Sequence, residues 1–234
     1  LESACVSIAV LPPRNDAVLG EVSFGVIHEI KTGTCFTAAR GQGAQAVTSD
    51  GTPVGLAPSP NTDLRALFWT AGLRGRPVLP CTIVLEELID GCTLAGGCFE
   101  LGSATFNMTR VATGQLDAYV DVGRRIVDDV PETEAAFLRV GEGAVLTNFP
   151  YDVAAAILIV EEAGGVVSAM DGSSLAAHPA VGSGEGFGLA VLATGNPQLH
   201  ETVLAAVDRG IERLRRVGAK GWEAGEVGQL SQAD

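Results

Sequence analysis

Apolar and polar positions alternate over the first fifty or so residues, and the period changes after that. Residues 4–11 (ACVSIAVL) and 18–28 (VLGEVSFGVIH) carry strand patterning on either side of the turn Pro12-Pro13-Arg14-Asn15-Asp16, which predicts antiparallel neighbours. Cys35 to Ala39 reads as a third strand, entered through Lys31-Thr32-Gly33. Arg40-Gly41-Gln42-Gly43-Ala44 is a glycine turn into a short hairpin near Val47 to Val54. The opening segment is therefore an antiparallel meander.

From Pro58-Ser59-Pro60-Asn61 onward, helical spacing alternates with short apolar runs. Strands are predicted at Ala66 to Trp69, near Thr93-Leu94, at Asp117 to Val122, at Val166 to Ser168 and at Leu189 to Ala193. Helices are predicted over 78–90, over 102–113 with Gly114 behind it, over 152–163, and from Pro197 to about Arg216. Alternating strands and helices mark an α/β layer. The expected organisation is a remainder of an antiparallel-sheet domain over 1–60, an α/β domain over 61–217 with a mixed sheet, and a polar tail over 218–234.

Composition narrows the function. Of 234 residues, 47% are apolar and 18% charged, against about 25% charged in an average domain, which excludes a mainly disordered chain. The formal net charge of −13 offers no footprint for nucleic acid and none for an anionic membrane surface. No apolar run reaches the roughly 20 residues a membrane span needs, and no signal peptide is visible. Cys5, Cys35, Cys81, Cys92 and Cys98 form no C-x₂-C pair, so they read as reduced thiols of a cytoplasmic protein.

Candidate chemistry is concentrated in two stretches. Asp152 opens a segment that is apolar for the next eight residues. Its carboxylate has two readings: a helix N-cap, or a hard oxygen ligand held at the mouth of a buried helix and suited to Mg²⁺. Gly102, Ser103 and Ala104 start the helix over 102–113. They either let that helix pack closely or leave its first amides open to an anion. The run Gly182 to Gly188 lacks a preceding strand and G-x-G-x-x-G spacing, so it reads as a surface loop. Scattered histidines (His28, His178, His200), with no G-x-S-x-G and no H-E-x-x-H, disfavour a hydrolase triad or a zinc protease. Glu86-Glu87 and Asp128-Asp129 read as solvated faces.

Taken together, Gly102-Ser103-Ala104 through Asp117-Ala118-Tyr119, and Asp152-Val153-Ala154-Ala155 through Glu162-Ala163-Gly164-Gly165, resemble the C-terminal half of the inositol monophosphatase family, which includes archaeal-type fructose-1,6-bisphosphatases. Phe36 to Ala44 and Ala193-Thr194-Gly195-Asn196 resemble the family's first-domain glycine turn and its late strand end. The resemblance implies a layered αβαβα sugar-phosphatase fold. It implies lithium-sensitive, Mg²⁺-dependent hydrolysis of a small phosphorylated polyol or sugar by attack of a metal-activated water, commonly in a homodimer. Carried over, Asp152 is the metal ligand, with Tyr151 where tryptophan is frequent. Gly102, Ser103 and Ala104 contact phosphate or substrate, and Asp121 contacts substrate hydroxyls.

Two departures shape the expectation. The family's D-P-[IL]-D-G-[ST] motif is not found in these 234 residues. The chain starts at Leu1, not methionine, so the catalytic metal-ligand segment is expected upstream of Leu1. Second, 30 residues separate Asp121 from Asp152 where the family has few. This insertion, 123–150, either carries a specificity loop in which Arg124 or Arg125 pairs a second phosphate, or makes an oligomer contact. Two other roles stand beside the phosphatase. One is a catalytically deficient binding or regulatory module. The other is a structural subunit whose exposed apolar layer another chain covers.

Overall fold

The computed structural model describes residues 3–184 and 186–221. Its first sheet is built from β1 (Cys5–Val10), β2 (Phe24–Glu29), β3 (Cys35–Ala39), β4 (Ala44–Val47) and β5 (Pro53–Val54), antiparallel and in sequence order. The expected meander is observed. Within 18–28, however, only the second half is strand, because Leu19–Glu21 winds into a 3₁₀ turn.

The second sheet has the order β7-β6-β8-β10-β9, from β6 (Phe68–Ala71), β7 (Gly97–Phe99), β8 (Ala118–Val120), β9 (Val166–Ala169) and β10 (Val191–Thr194). β6 runs parallel to β7 and β8, while β10 is antiparallel to β8 and β9, so the sheet is mixed. The strand expected near Thr93-Leu94 forms instead at Gly97–Phe99. Residues 92–96 are used in turning out of helix α1 (Val78–Gly91), and Leu94 is left fully exposed.

Four layers stack in the order β, α, β, α. Helices α2 (Ala104–Ala112) and α5 (Pro150–Glu162) lie between the two sheets. Helix α1 and the long α6 (Pro197–Gly221) cover the far side of the second sheet. The outer face of the first sheet exposes Val6, Ile8, Val10 and Phe24. The insertion folds as α3 (Gly123–Asp129), a 3₁₀ turn and α4 (Glu134–Val140), with Phe137 anchoring α4 in the core. Helix α6 runs past the expected end near Arg216, and the polar tail beyond Gly221 lies outside the described residues. Among the described residues, no helix is long and apolar enough to cross a membrane.

Residues 153–160 of α5 are all buried, as an all-apolar helix requires. Each Leu, Ile or Val there contributes about 1.5–3 kcal/mol on full burial. The ends of the helix are tied by polar contacts. At its C-terminus, the Glu162 carboxylate accepts the Gly41 and Gly43 amides, both at 2.7 Å, and so fixes the glycine turn of the first sheet. A second tie is charged: buried Glu29 on β2 pairs with Arg110 on α2 and accepts from Thr32 at 2.7 Å and Thr109 at 3.2 Å. The pairs expected on solvated faces lie at the surface, where they are also ion-paired. Glu86 and Glu87 meet Arg213 and Arg209, and Asp128 and Asp129 meet Arg124 and Arg125.

Two stability predictions follow from these contacts. Arg110→Met should cost about 3–5 kcal/mol in urea unfolding, because Glu29 is left buried without its counter-charge, and the double variant with Glu29→Gln should recover part of that. His200 is buried between Ser168 (2.7 Å) and Thr194 (2.9 Å), and burial pulls its pKa down from 6.5 to about 4. The unfolded chain therefore binds a proton that the folded one refuses. Stability should fall from about pH 6.5 toward pH 4, and thermal melts of His200→Gln should show a flatter profile in that window.

Candidate active site

Helix α2 starts at Ser103, whose hydroxyl accepts the Phe106 amide at 3.3 Å while its carbonyl accepts Asn107 at 2.9 Å. That leaves the amides of Ala104 and Thr105 without an intrahelical acceptor, as first-turn geometry dictates. Gly102, ahead of the cap, takes φ 90° and lies exposed, and its amide donates to Glu100 Oε1 at 2.8 Å. The other Glu100 oxygen holds the Leu73 amide at 3.0 Å, so one side chain ties the loop after β6 to the start of α2.

Helix α5 begins two residues earlier than its apolar pattern indicates, because Pro150 occupies the first turn. Asp152 is consequently the third residue of the helix and not its cap. Its Oδ2 accepts the Phe149 amide at 2.9 Å, and Oδ1 makes no hydrogen bond among the described residues. Tyr151 is exposed and stacks on Phe149, with ring centroids 5.5 Å apart. Thr105 Oγ1 donates to the Asp152 carbonyl at 2.6 Å, which joins the two helix N-termini. Half-burial pushes the Asp152 carboxyl above its ordinary value, against the pull of the Phe149 amide and the Arg76 guanidinium.

Asp121, one residue past β8, is placed differently from the expectation. Its side chain is 0% exposed and all its partners are internal. Oδ1 accepts the Gly123 amide at 2.9 Å, and Oδ2 accepts Asn148 at 2.6 Å and pairs with Arg76. Burial pushes this carboxyl up, opposed by Arg76 and the Gly123 amide. Asn148 also donates to the Tyr119 hydroxyl at 2.9 Å, whose own pKa is raised by the same burial. Enclosed in this way, the carboxylate has no face toward a substrate hydroxyl.

The insertion reaches the site through Asn148, not through its arginines. Arg124 forks onto Asp128 at 2.6 and 3.0 Å, because i,i+4 spacing on α3 puts that carboxylate one turn away. Arg125 is held by Asp129, by Asp208 at 2.5 Å and by the Met170 carbonyl at 2.5 Å. Both guanidiniums are therefore paired with carboxylates in this structure, Arg124 at the surface and Arg125 largely covered. A cavity of about 320 Å³ beside α3, lined by Arg124, Ser173 and His178, does not include Asp121 or Asp152.

The structure thus brings Ser103, Ala104 and Asp152 together at two helix N-termini and adds Arg76, Glu100 and Asn148. Sequence reasoning missed Arg76. The available signal was Gly72-Leu73-Arg74-Gly75-Arg76-Pro77 directly after a strand, in a chain with only 15 basic residues. Asp152 presents one carboxylate oxygen with no hydrogen bond among the described residues, a hard donor of the type that could hold Mg²⁺. Among the described residues, no cluster of three or more His, Cys, Asp or Glu forms a cage.

The sequence model of the inositol monophosphatase family matches residues 1–212. Nus factor SuhB of Salmonella typhimurium is 26% identical over 200 residues, covering 86% of this chain and 58% of the relative. Mycobacterium tuberculosis SuhB superposes with a TM-score of 0.59 at 22% identity, covering 88% of this chain and 64% of that one. The inositol monophosphate-bound structure of SaIMPase-II, a staphylococcal protein, superposes with a TM-score of 0.59 at 19% identity, covering 93% and 67%. The chain therefore spans a little over half the length of the curated relatives it matches.

The contact between α3 and Arg76 can be tested by one methyl group. A Cβ on Gly123 would lie 2.5 Å from Arg76 Nε and 3.3 Å from Asp121 Oδ1. Gly123→Ala should cost about 1–3 kcal/mol by overpacking, read as a lower melting temperature.

Proposed function

The chain belongs to the inositol monophosphatase family, and we propose that it serves as the substrate-binding part of a Mg²⁺-dependent phosphomonoesterase acting on a small phosphorylated polyol or sugar. The observation that carries this reading is the junction of two helix N-termini through Thr105 and the Asp152 carbonyl, with a half-buried carboxylate beside unoccupied first-turn amides. Helix N-termini favour anions through their amides and their dipoles, so Ser103 and the first-turn amide of Ala104 form the phosphate cradle, entered through Gly102, whose own amide is taken by Glu100. The Oδ1 of Asp152 is the metal-facing oxygen, and Oδ2, held by Phe149, keeps the carboxylate turned toward the site. When bound, Mg²⁺ supplies charge neutralisation on the phosphoryl oxygens and activation of the attacking water. Inhibition by Li⁺ and a dimeric state go with the same reading.

A second reading has support of its own. One curated relative is named for a Nus factor, and the described residues supply a single metal-facing carboxylate. Both features suit a binding or regulatory module that retains the fold.

The two readings separate in one assay. In the full-length protein, phosphate release from a panel of phosphorylated polyols with Mg²⁺, with and without Li⁺, should be seen. Asp152→Asn should lower kcat/KM by at least about a hundredfold, the scale of losing one charge-stabilising group. Stability should change by only about 0.3–1 kcal/mol, the helix-dipole contribution of that carboxylate. An active Asp152→Asn protein rules out the metal assignment. Ligand binding without phosphate release favours the regulatory module.

A further inference from the structure

The cavity of about 320 Å³ beside α3 is closed on one side by the 123–150 insertion and on the other by the turns that flank β9 and β10. That volume admits one small ring. Its floor is apolar, formed by Met170, Leu175 and Leu189, all buried. Its rim is polar, and three rim groups have incomplete bonding among the described residues. Asp171 Oδ1 accepts the Ser173 amide at 2.8 Å and the Ser173 hydroxyl at 2.6 Å, whereas Oδ2 accepts nothing there. Ser174 Oγ accepts the Ala176 amide at 3.2 Å, and its own O–H has no acceptor. Arg124 uses Nε and Nη2 on Asp128 and leaves Nη1 unbonded. The Arg124 stem lies close against Gly188, where a Cβ would be 3.3 Å from its Cδ.

These groups sort ligands by chemistry. Two arginines and three aspartates line the cavity. Arg124 is neutralised by Asp128, and Arg125 faces both Asp129 and Asp208. Asp171 has no ion-pair partner among the described residues, and its Ser173 donors hold its carboxyl below the usual carboxylate range, so it is charged at neutral pH. The lining is net negative, which disfavours a phosphate or a carboxylate. An ammonium group only donates, so it leaves the Arg124 and Ser174 donors unmatched. A hydroxyl both donates and accepts, and so serves Asp171 on one side and Ser174 or Arg124 on the other. We propose that this cavity binds a neutral polyhydroxylated ring, a sugar or cyclic polyol, with its C–H face on the Met170, Leu175 and Leu189 floor and its hydroxyls on Asp171, Ser174 and Arg124. The site lies apart from Asp121 and Asp152, and binding there needs neither phosphate nor metal. The polyol released by the proposed reaction is of this class, but the site stands without that reaction. Arg124 then serves hydroxyls, in place of the second phosphate expected of the insertion.

The chain has two methionines, and they report separately. Met170 floors this cavity, whereas Met108 on α2 is buried in the other core, between the sheets. Carbon-13 labelling of the methionine methyls therefore gives a probe and its control. Titrating the full-length protein with myo-inositol should move the Met170 resonance and leave Met108 in place. Inorganic phosphate and ethylammonium at the same concentrations should leave Met170 unmoved. Asp171→Asn keeps an oxygen for Ser173 and removes the charged acceptor, so it should weaken inositol binding by about ten- to a hundredfold, the scale of one hydrogen bond to a charged group. Met170 unmoved by myo-inositol overturns the proposal, with or without a shift at Met108. A Met170 response to phosphate or ethylammonium as large as that to myo-inositol also overturns it, as does wild-type affinity in Asp171→Asn. If that variant does not fold, the wild-type titrations with the three probes decide. No phosphate release is read in this experiment, so failure of the phosphatase reading leaves the site intact, and an unmoved Met170 leaves that reading intact.

Discussion

Helix α5 has no polar face to offer water between Val153 and Val160, and the rest of the molecule is arranged around that constraint. An all-apolar helix is stable only when surrounded, so the meander must cover one side and the mixed sheet the other. Helix α2 fills the remaining flank. The same burial confines the polar contacts of α5 to its two ends: Glu161 and Glu162 at the last turn, and Asp152 at the first. The site is where a hydrophobic necessity ends.

Polar groups in such an interior need partners, and the partners here link parts that are distant in sequence. Glu162 satisfies amides of the glycine turn some 120 residues earlier, Glu29 pairs with Arg110 across the first core, and Asp121 gathers Arg76 and Asn148. The two buried ones, Glu29 and Asp121, are unpaired-charge liabilities turned into register marks, since another packing would strand them. In a chain of net charge −13, two arginines, Arg110 and Arg76, stand at these junctions.

The strands and helices were legible because their periods are clean. The antiparallel meander, the mixed second sheet, α1, α2, α5 and the start of α6 all lie close to where apolar spacing puts them. Errors arose where tertiary packing overrode local preference. Thr93-Leu94 carries strand-like side chains, but turning out of α1 uses those residues and moves the strand to Gly97. The insertion shows no strong periodicity, yet it folds into short helices because Ile126 and Phe137 find buried positions. At the site, Gly102 to Ala104 and Asp152 were readable as helix starts. Asp121 was readable as an acid at a strand end, but not as an enclosed one.

The sequence by itself determined the fold class, the family and the two helix starts that form the candidate site, because those depend on period, caps and short motifs written locally. Only the tertiary structure decided which charges face one another. Arg124 and Arg125 looked available from spacing and are held by their own helix and by Asp208, whereas Arg76 drew no notice and pairs with buried Asp121. The reason is range. Hydrophobic patterning acts between residues a few positions apart, while the ionisation and availability of a side chain depend on groups brought close by packing, here across 45 residues from Arg76 to Asp121 and 27 from Asp121 to Asn148.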